Sequence, residues 1–238
     1  MTGLVHSIQS MGGVDGPGVR FVAFLQGCPL RCSCCHNPDT WAFHVGKEYT
    51  AEELVAKASR YREYFGRDGG ITLSGGEPLC QAEFAREVFR LCRDAKINTC
   101  LDTSGCVLNE SGKELLAYTD RVLLDIKYTS SEDYLRYVGS SYEKTLEFLA
   151  YLNARKIPTT LRQVIIPSVN GNEENVRRLG EIAKAHACVD KIELLPFRKI
   201  CSMKYEKMGI EFPFGDKDEP SAQTMSRLNG ILLSAYGK

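Results

Sequence analysis

The stretch Arg20-Phe21-Val22-Ala23-Phe24-Leu25-Gln26-Gly27-Cys28-Pro29-Leu30-Arg31-Cys32-Ser33-Cys34-Cys35 decides how the chain is read. Its first six residues are one arginine and an unbroken apolar run. A short run without alternation, bounded by a glycine, fits a strand buried on both faces. The segment that follows carries three cysteines at the spacing Cys28-x3-Cys32-x2-Cys35, with Cys34 between the last two. Gly27 permits a tight backbone turn into this loop.

Outward from there the same strand-then-helix alternation recurs, which predicts an α/β fold with a largely parallel sheet. Thr50-Ala51-Glu52-Glu53 has the spacing of a capping box and opens a helix to about Tyr64. Ile71 to Ser74 reads as the second strand, ending in Gly75-Gly76-Glu77-Pro78. A helix from Gln81 to Lys96 places Phe84, Val88, Phe89 and Cys92 on one face, and Asn98 to Asp102 is the third strand. A helix near Glu110 to Tyr118 precedes the fourth strand, Arg121 to Lys127. Ser141 to Lys156 is a helix with Leu146, Leu149 and Leu152 inward, followed by a strand at Thr159 to Ile166 and a helix at Glu173 to His186. Lys191 to Leu195 is the sixth strand, Pro213 to Pro220 a surface loop, and Ser221 to Tyr236 a terminal helix.

No repeat or low-complexity tract divides residues 1–238, so one domain is expected. Six such units form either an open doubly wound sheet or an incomplete barrel, and in both the site lies at the C-terminal ends of the strands. The polar residues hardest to explain as core fall there: the cysteine loop, Gly75-Gly76-Glu77, Asp102, Asp125 with Lys127, and Arg198.

Composition narrows the classes of function. Thirty Lys plus Arg against thirty Asp plus Glu give a formal charge of zero, which offers no broad basic face for nucleic acid or an anionic membrane. No segment approaches the roughly 18 apolar residues of a spanning helix, and the first residues lack the build of a signal peptide, so a cytoplasmic protein is expected. Ten cysteines fall well below the roughly 8 to 10% of a disulfide-stapled chain, and four of them lie inside eight residues. Such clustering in a reducing compartment points to metal or redox chemistry. Spacing alone leaves three readings open: a zinc site completed by Cys34 or His36, structural thiols, or an iron-sulfur cube with one iron lacking a protein ligand.

Cys28-Pro29-Leu30-Arg31-Cys32-Ser33-Cys34-Cys35 resembles the signature of the radical S-adenosylmethionine enzymes. Val14-Asp15-Gly16-Pro17-Gly18-Val19-Arg20, Cys35-His36-Asn37-Pro38-Asp39-Thr40-Trp41, Ser74-Gly75-Gly76-Glu77-Pro78, Leu101-Asp102-Thr103, Leu124-Asp125-Ile126-Lys127 and Glu193-Leu194-Leu195-Pro196 resemble the activases of glycyl radical enzymes. The likeness runs from about residue 6 to the terminal helix. No cysteine lies between Cys35 and Gly75, which matches the compact activases whose partner is pyruvate formate-lyase rather than the larger ones with a ferredoxin-like insertion.

The resemblance implies a partial (β/α)6 barrel. It implies a 4Fe-4S cluster on Cys28, Cys32 and Cys35, with S-adenosylmethionine chelating the fourth iron. Reductive cleavage of that cofactor then gives a 5′-deoxyadenosyl radical that removes a hydrogen from a glycine of the partner enzyme. The implied cofactor contacts are Cys34, His36, Gly75, Gly76, Glu77, Asp102, Asp125, Ile126, Lys127 and Arg198. Asp102, Thr103 and Asp125 resemble a group that holds a monovalent cation, and Asp15 and Arg162 are candidates for guiding the partner's glycine loop. An electron donor such as flavodoxin or ferredoxin is implied as a second partner. Activation of a different glycyl radical enzyme is the alternative within enzymes, and a zinc-stabilised binding module the alternative outside them. Two departures stand out: Phe197-Arg198 where the family typically reads Tyr-His, and Cys34 where an aromatic residue usually precedes the third ligand.

Overall fold

The computed structural model describes residues 1–237. Eight strands form one open sheet in the order β3-β1-β2-β4-β5-β6-β7-β8. They are β1 (Thr2–Gly12), β2 (Arg20–Leu25), β3 (Lys47–Thr50), β4 (Gly70–Gly75), β5 (Asn98–Thr103), β6 (Arg121–Asp125), β7 (Thr159–Ile165) and β8 (Val189–Pro196). Six of these, β2 and β4 through β8, are the strands expected for the partial (β/α)6 barrel, and the sheet does not close. The pairs β2-β4, β4-β5 and β7-β8 are parallel.

The two further strands escape a hydrophobic-pattern reading. β1 runs antiparallel to β2 and carries β3 antiparallel on its other side. β3 is Lys-Glu-Tyr-Thr, with no apolar periodicity, and is held by backbone pairing from Thr2↔Thr50 to Val5↔Lys47. Its last residue then caps α1 (Ala51–Ser59): Thr50 Oγ1 accepts from the Glu53 amide at 3.1 Å and Glu53 Oε2 accepts from the Thr50 amide at 2.9 Å. The expected helix to Tyr64 stops at Ser59, and a separate turn of helix, α2, covers Arg62–Phe65.

The residues cluster into two compact units, Met1–Pro29 with Thr40–Leu123, and Leu30–Asp39 with the chain from Leu124 onward. In the first, α3 (Ala82–Asp94) buries Phe84, Val88, Phe89 and Cys92 as its periodicity predicts, and α4 (Glu110–Leu116) follows an Asn109 cap. Arg20 is fully buried at the start of β2. Its guanidinium donates to Thr72 Oγ1 (3.0 Å), Asn98 Oδ1 (2.8 Å) and the Asp68 carbonyl (3.1 Å), so a buried cation is satisfied by dipoles that tie β2, β4 and β5 together.

The second unit holds α5 (Ser131–Val138), α6 (Tyr142–Ala154), α7 (Glu173–Ala185), α8 (Ser202–Met208) and α9 (Ala222–Tyr236). Neither α5 nor α8 is predicted from pattern, because each is under three turns and buries only one or two residues. In α6 the inward residues are Phe148, Leu149 and Leu152, with Leu146 half-buried. The loop from Pro213 to Pro220 is irregular as expected, but Phe214 within it is buried.

Candidate functional site

In the first unit the C-terminal ends of β2, β4 and β5 present Cys28, Gly75-Gly76-Glu77 and Asp102-Thr103. The Cys28 amide donates to the Trp41 carbonyl at 3.3 Å, and the Gly27 amide to Thr40 at 2.8 Å, which fixes the exit from β2. Gly75 adopts φ +109°, and a Cβ there would fall 2.4 Å from the Leu25 amide nitrogen. A Cβ on Gly76 would fall 2.3 Å from the Gly27 carbonyl oxygen. Only glycine allows the end of β4 to lie this close to the root of the cysteine loop.

Glu77 is buried, and both its oxygens are occupied. Oε1 accepts from Thr103 Oγ1 (2.6 Å) and the Leu79 amide (3.2 Å), and Oε2 from the Ser104 amide (3.0 Å) and Ser104 Oγ (2.6 Å). Burial raises its pKa above the ordinary carboxylate value, and the Ser104 and Thr103 hydrogen bonds oppose that rise. Glu77, expected to meet a ligand's ammonium, takes four internal donors here, which tie together the loops after β4 and β5. Thr103, expected as a cation ligand, spends its hydroxyl on Glu77 and on the Gly105 amide (3.0 Å). Asp102 is half-buried and accepts from Ser74 Oγ at 2.6 Å. The Asp15 carbonyl accepts from Thr72 Oγ1 at 2.7 Å, which fastens the Val14 to Gly18 loop against β4.

In the second unit the rest of the cysteine loop is strapped to α5. The Arg31 amide donates to Val138 (3.2 Å), the Ser33 amide to Tyr137 (2.8 Å), and the Cys35 amide closes a turn onto Cys32 (3.0 Å). α8 braces the other side: Tyr205 donates its hydroxyl to the Cys35 carbonyl (3.1 Å), and Lys204 Nζ donates to Asn37 Oδ1 (2.8 Å) and Asp39 Oδ1 (3.0 Å). Cys34 is buried in an apolar cluster with Ile166, Phe197 and Phe214. Desolvation pushes its thiol up to about 11, so it is a protonated packing residue near neutral pH. Cys34, expected to contact the cofactor, is 8% exposed.

His36 Nε2 lies 2.9 Å from the Arg198 carbonyl oxygen, and burial lowers the imidazole's pKa. Arg198 itself is half exposed and its guanidinium donates to Glu219 Oε2 at 2.6 Å. The arginine that stands where the family has histidine is thus ion-paired with Glu219, and its main chain is what orients His36.

At the end of β6, Asp125 is gripped by two cations. Lys127 Nζ donates to Oδ2 at 2.5 Å and Arg162 Nε to Oδ1 at 3.0 Å. Burial alone would raise the Asp125 pKa, but Arg162 and Lys127 hold it below its ordinary value. Burial alone would lower Lys127, but Asp125, Cys32 and Cys34 hold it well above its own. Arg162, a candidate for guiding a partner's loop, is buried on β7 and pairs with Asp125. Asp125, expected to share a monovalent cation, already carries two positive partners. Ile126 is fully buried and its amide donates to the Arg162 carbonyl at 2.9 Å.

Three cysteines on one loop supply the thiolate ligands that an iron-sulfur cube takes, one to each of three irons. Among the described residues no three His, Cys, Asp or Glu side chains are grouped to hold one metal ion. A cube does not ask for that, because each thiolate takes a separate iron. Pattern reading missed Ser104, Lys204, Tyr205 and Glu219, since their partners lie 21 to 170 residues away in sequence and nothing local marks them.

Residues 22–180 match the family model of the Radical SAM superfamily. The chain is 43% identical to the pyruvate formate-lyase 1-activating enzyme of Escherichia coli K12, with 99% of this chain and 96% of that protein covered. It is 42% identical to the pyruvate formate-lyase-activating enzyme of Clostridium pasteurianum, with 97% of each covered. Among solved structures, Streptococcus suis SuiB bound to S-adenosylmethionine aligns with a TM-score of 0.69 at 16% identity, covering 87% of this chain and 44% of that one. At that identity the likeness speaks to the fold alone.

Proposed function

The chain belongs to the Radical SAM superfamily and, within it, to the pyruvate formate-lyase activating enzymes, and from that premise we propose that it generates the glycyl radical of pyruvate formate-lyase. The observation that carries the reading is a three-thiol loop, braced on both sides, in a chain that matches these activases over nearly its whole length. When bound, a 4Fe-4S cluster with S-adenosylmethionine supplies one-electron cleavage of the sulfonium and abstraction of a glycine hydrogen from the partner.

The chain's own residues supply ligation, orientation and charge. Cys28, Cys32 and Cys35 are the cluster ligands, and Cys34 is excluded because it packs into the apolar cluster. Gly75 and Gly76 bring bare backbone to the cofactor's amino end, and Asp102 supplies an acceptor there. Lys127, held by Asp125, supplies a fixed cation for its carboxylate. Asp125 is balanced by Lys127 and Arg162, and the reading assigns it no further cation. His36 offers a neutral imidazole at its edge. No side chain has to move a proton.

All residues are read as one radical S-adenosylmethionine domain working in the cytoplasm, with a flavodoxin or ferredoxin as electron donor. No helix among the described residues is long and apolar enough to cross a membrane. The test is anaerobic iron and sulfide counting in single Cys→Ala variants, together with cleavage of S-adenosylmethionine to methionine and 5′-deoxyadenosine by reduced protein. Cys28, Cys32 and Cys35 variants are expected to lose the cluster and the cleavage, and Cys34→Ala to keep both. Full retention in Cys32→Ala would overturn the ligand set.

A further inference from the structure

One short helix of the second unit holds both the cysteine loop and the lysine of the strand end. α5 closes on a left-handed Gly139 at φ +73°, whose amide donates to the Tyr134 carbonyl at 3.1 Å. The last carbonyls of a helix have no partner inside it, and here two of them serve the cysteine loop. Val138 receives the Arg31 amide at 3.2 Å and Tyr137 the Ser33 amide at 2.8 Å. One turn back, Tyr134 lies on the same face and serves Lys127 through its side chain. Just beyond β6 the Ile126 amide still reaches the Arg162 carbonyl, whereas the Lys127 amide donates to the Tyr134 hydroxyl oxygen at 3.1 Å. Tyr134 is 2% exposed, gives its own hydroxyl hydrogen to Thr145 Oγ1 at 3.3 Å, and packs its ring 5.2 Å from Tyr142 and edge-on at 6.3 Å from Tyr128.

We propose that Tyr134 is a positioning residue for S-adenosylmethionine: by tying the Lys127 main chain to the helix that carries the cysteine loop, it sets where the Lys127 ammonium stands relative to Cys32 and Cys35. Tyr134 touches no reacting atom, and the inference rests on the reading of Lys127 as the cation for the cofactor's carboxylate. A lysine is a point charge on a flexible four-carbon stem. Asp125 holds its head at 2.5 Å, and the main chain has to hold its root. A buried amide that loses its acceptor shifts to find another, and a misplacement of about 1 Å can cost about 100-fold at a reacting site. Removing the Tyr134 oxygen frees the root of Lys127. The cysteine loop stays in place, because it hangs on the carbonyls of α5 and not on the hydroxyl.

The test is steady-state cleavage of S-adenosylmethionine by reconstituted, dithionite-reduced protein without a partner enzyme, with iron counted in every sample. Tyr134→Phe keeps the ring and is expected to keep its iron and its kcat per cluster, while KM for the cofactor rises about tenfold, the mark of lost ground-state binding. Thr145→Val leaves the Tyr134 oxygen for Lys127 and is expected to leave KM unchanged. Replacing Tyr134 by 3,5-difluorotyrosine, the same shape with a poorer acceptor oxygen, is expected to raise KM by less than Tyr134→Phe does, and it decides alone if Tyr134→Phe does not fold. In a Lys127→Met background Tyr134→Phe is expected to add no further rise, since it acts through the lysine. A KM that stays put in both Tyr134 variants, an undiminished rise in the Lys127→Met background, or a loss of iron and kcat at unchanged KM overturns the proposal. A KM unmoved by Lys127→Met alone would instead overturn the reading of Lys127, so the two failures are distinguishable.

Discussion

Glu77 and Asp125 are both acids beside the C-terminal ends of strands, and the molecule balances them in opposite ways. Glu77, in the first unit, is surrounded by neutral donors: two hydroxyls and two backbone amides. Asp125, in the second, is clamped between an ammonium and a guanidinium. Dipoles leave Glu77 with a raised pKa, because desolvation outweighs four hydrogen bonds. Full charges leave Asp125 with a lowered one. Glu77 is thus suited to hold two loops together without a counter-ion. Asp125 suits a place where cationic side chains must be held still for another charge to use.

The largest effect expected from breaking this contrast is at Asp125. Asp125→Asn leaves Lys127 and Arg162 as neighbouring buried cations, and removing one partner of such a pair costs about 3–5 kcal/mol. Chemical denaturation should show a loss in that range, with S-adenosylmethionine binding lost in the protein that stays folded. A loss below about 1 kcal/mol would place the pair in the weak class of surface ion pairs.

Glu77→Gln is expected to cost less, about 2 kcal/mol, because the staple loses charge but keeps an acceptor. Its pH signature is sharper than its size. A carboxyl whose folded pKa is raised binds more protons folded than unfolded, so between its unfolded and folded values it favours the fold as pH falls. Asp125, with a depressed folded pKa, contributes stability above its unfolded value that is lost as pH falls through the folded one. Glu77→Gln should therefore remove a component that gains stability on acidification towards its raised pKa. Asp125→Asn should remove one that loses stability below about pH 4, near the ordinary aspartate value. Denaturation midpoints across that range check both signs, and like slopes in the two variants would erase the contrast.

The smallest effect is expected from Ser104→Ala, which deletes one of the two Ser104 donors to Glu77 Oε2 and leaves the backbone amide. About 1 kcal/mol is expected in the parent and near zero in a Glu77→Leu background, read as a double-mutant cycle. An equal cost in both backgrounds would mean that Ser104 stabilises something other than the carboxylate.

The contrast also shows where sequence reading reached and where it stopped. The buried runs at Arg20–Leu25, Ile71–Ser74 and Val122–Leu124 are legible because burial on both faces leaves an apolar signature. Thr50 and Glu53 announce a helix start because both halves of a capping box lie within four residues. β3 was not legible, since its four residues are held by backbone pairing that any sequence can make. At the site, residue types and strand-end positions could be read, but the partners could not. Nothing near Arg198 in sequence announces that Glu219 neutralises it, and nothing near Glu77 says that Ser104 and Thr103 fill both its oxygens. Charge at a strand end marks a site; whether that charge faces a ligand or a neighbour depends on chain brought in from elsewhere.

The most direct test is spectroscopic. Anaerobically reconstituted, reduced protein mixed with S-adenosylmethionine and pyruvate formate-lyase should produce the doublet signal of a glycyl radical, together with one 5′-deoxyadenosine per radical and formate-forming activity. Cys32→Ala should give none of the three under the same conditions. A parent protein that holds its cluster and cleaves the cofactor, yet leaves pyruvate formate-lyase without a radical while activating another glycyl radical enzyme, would contradict the proposed partner.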